Sequence, residues 1–217
     1  MTYGTCFFEE YAQILLCALL GREYECLVNR DRPDLQSKDD THLGIEVTRA
    51  MEESKKAQDD LLKDISGVTE TPEREELDQI VENGYAYGLQ DGKYIGAKEL
   101  PYWSMALPLK RIIESKVSKM NNGLYGHFDM LGLFVFCRDN IEERDAMKAM
   151  EYTRDIQKDL ELHYDRLYLA DVNDLFVLNL EDGIKDAYRM CSYPITQEQR
   201  KDFYDQAVQR MNERAEK

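Results

Sequence analysis

The chain has no C-x-x-C pair, no H-x-x-x-H pair and no apolar run long enough to span a membrane. Each absence removes a class of function. The five cysteines, Cys6, Cys17, Cys26, Cys137 and Cys191, are odd in number, widely spaced and mostly set among apolar neighbours. A disulfide framework or a cysteine-based zinc site needs closer, paired spacing, so reduced core thiols in a cytoplasmic setting are expected. His42, His127 and His163 are mutually distant in sequence, which argues against a zinc centre built on histidine. Positive charge is scarce: 28 Lys and Arg against 43 Asp and Glu give a net charge of −15. Proteins that coat nucleic acid without sequence preference depend on clustered Lys and Arg, so that class is excluded, although a local basic groove is not. The opening MTYGTCFFEEYAQILLCALLG carries two glutamates ahead of its apolar part and no basic n-region. A soluble protein without a secretion signal or membrane contact is therefore expected. Also missing are G-x-G-x-x-G, G-x-x-x-x-G-K-[ST] and G-x-S-x-G, which leaves a small-molecule enzyme with the Tyr-rich 84–94 segment as a lid without a motif.

What is present is the composition of a folded domain. Of 217 residues, 43% are apolar and 10% aromatic, with only 5 prolines and 12 glycines. That length suits a single domain spanning 1–217 with an inserted segment. FFEEYAQILLCALL (7–20) is apolar around most of a helical circumference and reads as a core helix ending at Gly21. YECLVN (24–29) reads as a short strand. In HLGIEVT (42–48), Leu43, Ile45 and Val47 alternate with Gly44, Glu46 and Thr48, a strand with two distinct faces. The SKDD turn between the two suggests a hairpin, and 49–65 reads as an amphipathic helix. Residues 67–102 break the pattern and are read as an insertion, with a turn at Asp91-Gly92. Then come a helix over 106–121 stopped by Asn-Asn-Gly, a buried strand over 129–136 and a charged helix over 143–162. Two strands follow over 166–180 about Asp-Val-Asn-Asp, and a Thr-capped surface helix over 196–214 closes the 196–217 tail. Helices separating groups of strands imply an α/β (α+β) layer architecture, with the 42–48 strand near the middle of its sheet.

Asp34 lies at the polar end of a strand-like segment, and Glu46 lies within the next one, 12 positions later. A carboxylate set into a strand is expensive unless paired or bound to a cation. Two carboxylates converging at one sheet edge supply the hard oxygens that Mg²⁺ takes, and such an ion activates water against a phosphodiester. The plainer alternative is a turn Asp and a Glu paired with Arg32 or Arg49. On the 106–121 helix, Leu109, Ile112, Ile113, Val117 and Met120 form one apolar stripe with Lys116 in its middle and Lys119 at its flank. A lysine on such a face must snorkel to solvent or meet an anion.

A core helix, a strand, Pro33-Asp34, about a dozen residues, Gly44-Ile45-Glu46-Val47-Thr48 and a helix together resemble the PD-(D/E)XK nuclease superfamily, including uncharacterised bacterial members with a GIEVT-like strand. The resemblance implies a restriction-endonuclease-like mixed sheet flanked by helices and a Mg²⁺-dependent nuclease, with Mn²⁺ as the alternative ion and DNA more expected than RNA. It assigns Asp34 and Glu46 to the metal and, from the first helix, Glu10 as a third acid, with Glu9 as its alternative. The family's lysine two residues after the strand acid is replaced here by Thr48, which can hydrogen-bond a water but carries no charge. Lys116 is then the expected relocated lysine, with Lys119 second. The competing expectation is a catalytically inactive relative that uses its acidity to bind a basic protein, as an immunity-type module does.

Overall fold

A computed structural model describes residues 5–38, 41–50, 89–90, 93–94, 100–137, 140–181, 183 and 189–215. The first helix, α1 (Thr5–Leu20), ends where Gly21 takes a left-handed φ of 93° and returns its amide to the Cys17 carbonyl at 3.0 Å. Only glycine enters that region without a Cβ penalty, so the stop is written in the sequence.

Seven strands form one mixed sheet in the order β1 (Leu27–Asn29), β2 (Leu35–Ser37), β3 (Leu43–Ala50), β6 (Met130–Cys137), β7 (Arg166–Ala170), β8 (Asp174–Asn179) and β9 (Met190–Pro194). β3, β6 and β7 run parallel at the centre, and antiparallel pairs extend both sides. Parallel strands covered on both faces read as continuous apolar runs, which is why MLGLFVFC was legible as a buried strand. β4 (Leu89–Gln90) and β5 (Lys93–Tyr94) pair with each other antiparallel, as the Asp91-Gly92 turn signal implied.

Helices cover both faces. Beside α1 lies α4 (Gln197–Ala215), and α2 (Leu100–Lys119) packs with α3 (Glu143–Gln157). One core joins Phe7, Phe8, Tyr11 and Leu15 of α1 to Leu43, Ile45 and Val47 of β3, Phe134, Phe136 and Tyr168. The other joins Leu109, Ile113 and Val117 of α2 to Leu133 and Val135 of β6 and to Met150 of α3. The two faces of β3 predicted from its alternation are thus the two sides of the sheet.

Several expectations are corrected. Within 24–29 only Leu27–Asn29 is strand, because Arg22–Tyr24 form a 3-10 turn that buries Tyr24. The hairpin partner of β3 is β2, a strand whose polar Gln36 and Ser37 concealed it. Ser37 is buried because its hydroxyl bonds both backbone groups of Leu43, at 3.0 and 3.3 Å. β9 was missed as well, a mostly exposed edge strand of only five residues, Met190–Pro194. α2 begins at Leu100, ahead of the predicted 106. α3 ends at Gln157, short of 162, where the Gln157 side chain exchanges hydrogen bonds of 2.8 and 3.0 Å with the Tyr164 backbone and turns the chain into β7. Thr196 and Gln199 form the expected N-terminal cap, at 2.9 and 3.2 Å. α4 is nevertheless more than a surface helix, since Phe203 and Ala207 are buried against α1. The thiols also differ from expectation: Cys137 is buried, Cys17 half-buried, and Cys26 and Cys191 exposed, and none of the four is in a disulfide among the described residues. Residues 49 and 50 belong to β3; the rest of the predicted 49–65 helix, and most of 67–102, lie outside the described residues.

Candidate functional site

The site begins with a glycine. A Cβ on Gly44 would come within 2.7 Å of the Pro33 ring and 3.0 Å of Phe128. Glycine there lets Pro33 lie directly on β3, and this delivers Asp34 to the strand. The β2–β3 ladder pairs Gln36 with Gly44 and Leu35 with Ile45. Just beyond it, the Asp34 carboxylate replaces a backbone partner: Val47 donates its amide to Asp34 Oδ2 at 2.7 Å.

Glu46 projects from the middle of β3 on the side opposite Leu43, Ile45 and Val47. Across α2, Leu109, Ile113, Val117 and Met120 are buried and Ile112 partly so, which sends Lys116 inward with them. Its Nζ donates to Glu46 Oε1 at 2.6 Å, with only 14% of the lysine and 9% of the glutamate side chain exposed. Glu46 therefore pairs with neither Arg32 nor Arg49. Arg32 lies by Asp31, at 3.4 Å, and Arg49 stacks over the Phe8 ring on the other side of the sheet, 4.6 Å from its centroid.

Of the remaining predicted residues, Thr48 is half-buried on the same face of β3 as Glu46, opposite Val135 of β6. Lys119 is exposed on α2 and is not brought to Glu46. Glu10 is fully buried but belongs to the α1–α4 contact, its Oε2 lying 3.6 Å from Arg210. The α1 carboxylate whose charge reaches Asp34 is Glu9, which accepts a hydrogen bond from Asn29 of β1. About 100° separates successive helical residues, enough to turn Glu10 toward α4 while Glu9 faces the edge of the sheet.

Two tyrosines complete the cluster and were not predicted. Gly123, with φ 72°, closes the Asn-Asn-Gly stop after α2 and redirects the chain, and Tyr125 follows in extended conformation. The Tyr125 phenol lies near enough to Glu46 for the carboxylate's charge to raise it. Tyr164 is near it electrostatically, and the buried Tyr164 hydroxyl has no hydrogen-bond partner among the described residues. No local motif marks either phenol. The only signal was their position beside a turn and a strand start that the Glu46 side of the sheet faces.

The electrostatics follow from burial. Asp34 is pushed up to about 7, first by burial and then by the Glu46 charge. The Val47 amide and Lys116 pull it down, and Glu9 pushes it up. Burial is also the main cause of the raised Tyr125 and Tyr164 phenols, with the Glu46 charge adding to both.

The negative charge near Asp34 thus exceeds what Lys116 offsets, a condition that an added cation relieves. Asp34 and Glu46 present hard oxygens only. Among the described residues, no group of three or more His, Cys, Asp and Glu is arranged to hold a metal. Mg²⁺ keeps several waters and takes one or two carboxylates, so this pair fits that ion and fits zinc poorly. The small cavity bordered by Tyr11, Phe136, Cys137, Asp171 and Arg200 includes none of these side chains. Among the described residues no helix is long and apolar enough to cross a membrane. The chain matches no family model, no curated protein and no solved structure.

Proposed function

We propose that the chain is a cytoplasmic, Mg²⁺-dependent nuclease of the PD-(D/E)XK kind, hydrolysing phosphodiesters in DNA, with its lysine relocated from the strand to a helix. The observation that carries this reading is the 2.6 Å contact through which Lys116, 70 residues away in sequence, returns to Glu46 beside Asp34. Asp34 and Glu46 would hold the ion, Mg²⁺ or Mn²⁺. When bound, the ion polarises the phosphodiester and lowers the pKa of water. Lys116 contributes a fixed ammonium where anionic charge develops, a role that a buried and oriented cation performs better than a solvated one. Thr48 supplies a hydroxyl on the same face, able to accept from or donate to a water. Glu9 adds negative charge at the sheet edge. Purified protein with Mg²⁺ or Mn²⁺ should cut single-stranded or duplex DNA, and Asp34→Ala and Glu46→Ala should each abolish cutting. Failure to cut DNA or RNA, together with no divalent-ion binding by calorimetry, overturns the proposal.

A second reading, an inactive relative that binds a basic protein, draws on two observations. The net charge is −15, and Lys116 already engages the carboxylate that an ion would need. A wild-type chain that binds no divalent ion but captures a basic partner through salt-sensitive contacts favours this reading.

A further inference from the structure

Among the described residues, Arg32 is the one non-glycine with a left-handed backbone, at φ 63°. That region is costly for a residue with a Cβ, and glycine or asparagine enters it more readily. The strain persists because the turn from β1 to β2 is fixed on both sides of Arg32. Gln36 donates its Nε2 to the Asp31 carbonyl at 3.2 Å and to the Pro33 carbonyl at 2.8 Å, the residues that flank it. Arg30 closes the turn by donating its amide to the Asp34 carbonyl at 2.8 Å. Pro33 is buried over Gly44 and Asp34 is bonded to the Val47 amide, so both are committed inward. Arg32 alone turns outward, its side chain 53% exposed. Its Nε lies 3.4 Å from the neighbouring Asp31, itself 81% exposed, and such a solvated pair holds little. No other hydrogen bond or ion pair of Arg32 is formed among the described residues.

We infer that Arg32 is a substrate-binding residue: its guanidinium holds a phosphate of the nucleic-acid backbone beside the phosphodiester that Asp34 and Glu46 serve. This rests on the nuclease reading and adds to it where the substrate backbone lies. Three observations carry it. The strain sits where glycine would relax it, so the position is kept for its side chain. Arg32 stands two positions before Asp34, no more than about 7 Å away between α-carbons, within reach of a neighbouring phosphate. A chain of net charge −15 repels a polyanion, and a fixed arginine at the edge of the acidic site offsets that repulsion where the phosphate arrives. Guanidinium is also the side chain whose planar donors match two phosphate oxygens at once. The contact positions the strand and carries no base preference.

The test uses the full chain in two measurements, urea midpoints with chelator present and Mn²⁺-dependent cutting of a DNA oligonucleotide at several salt concentrations. Arg32→Asn and Arg32→Gly should give midpoints no lower than the wild type, because both residues take the left-handed backbone more easily. The same variants should lose about tenfold in kcat/KM, the size of one charge-assisted contact. Their dependence of log kcat/KM on log salt should become shallower by about 0.9 on duplex or about 0.7 on single-stranded DNA, the signature of one lost phosphate contact. Arg32→Lys, which keeps the charge without the planar fork, should keep the wild-type salt slope. Midpoints that fall in step with cutting assign Arg32 to the fold and overturn the role. Wild-type kcat/KM and slope in Arg32→Asn and Arg32→Gly overturn it too, with the nuclease reading intact. A wild-type chain that cuts no DNA or RNA overturns the nuclease reading and the role with it.

Discussion

Replacing Asp34 by Asn tests the electrostatics of the cluster without assuming a function. Asparagine keeps an oxygen that accepts the Val47 amide, now bonded to Asp34 at 2.7 Å, and removes only the charge. The native carboxyl titrates at about 7 and its reference value is 3.8, so the shift is 7 − 3.8, or about 3 units. A native pKa above the unfolded one means that the folded chain holds the proton more tightly. The resulting stability is complete below about 4 and is lost as pH rises to about 7. At 1.36 kcal/mol per unit the full shift is worth about 4 kcal/mol, and solvent screening of a half-buried group reduces this to about 2 kcal/mol. In chelator, Asp34→Asn should therefore match the wild type near pH 4 and exceed it by about 2 kcal/mol at pH 8. With a urea slope of about 3 kcal/mol per molar, this moves the midpoint up by about 0.7 M. Equal midpoints at both pH values, or a variant weaker at pH 8 than at pH 4 relative to wild type, would refute the reasoning. Added Mg²⁺ should raise the wild-type midpoint at pH 8 and close the gap.

Three further outcomes are expected. Lys116→Met strands a carboxylate that is 9% exposed, and should lower stability by about 2–4 kcal/mol. The Glu46→Gln/Lys116→Met double variant should recover most of that loss in urea melts; a double variant as weak as the sum of its parts denies the ion pair its role. Gly44→Ala drives a Cβ to 2.7 Å from the Pro33 ring, which should cost about 1–3 kcal/mol and speed hydrogen exchange at the Val47 amide, because Asp34 is pushed off it. Unchanged exchange there would show that Pro33 does not set the position of Asp34. Tyr164→Phe removes a buried hydroxyl without a well-formed partner, and thermal melts should show it neutral or stabilised by about 1 kcal/mol. A clear loss would mean that the hydroxyl is satisfied in solution.

The sequence alone determined what depends on local spacing. Alternation in HLGIEVT put Glu46 on the face opposite Leu43, Ile45 and Val47, and the structure keeps it there. The 3.6-residue period on 106–121 put Lys116 among buried neighbours, where it had to snorkel to solvent or meet an anion, and the structure gives it Glu46. Gly21 and Gly123 ended their helices where left-handed backbone was required. Short strands were illegible, because three residues such as Leu35–Ser37 carry no period and Ser37 is buried by a hydrogen bond rather than by hydrophobicity. Only the tertiary structure decided which acid and which donors meet. Glu9 and Glu10 are adjacent in sequence, and the packing of α4 against α1 gives Glu10 to Arg210 and leaves Glu9 to the sheet edge. Tyr125 and Tyr164 come within electrostatic reach of Glu46 because β3, β6 and β7 are parallel neighbours, bringing the turn before β6 and the start of β7 to the same end of the sheet. Periodicity reports which way a side chain points, and only the strand order reports what it meets there.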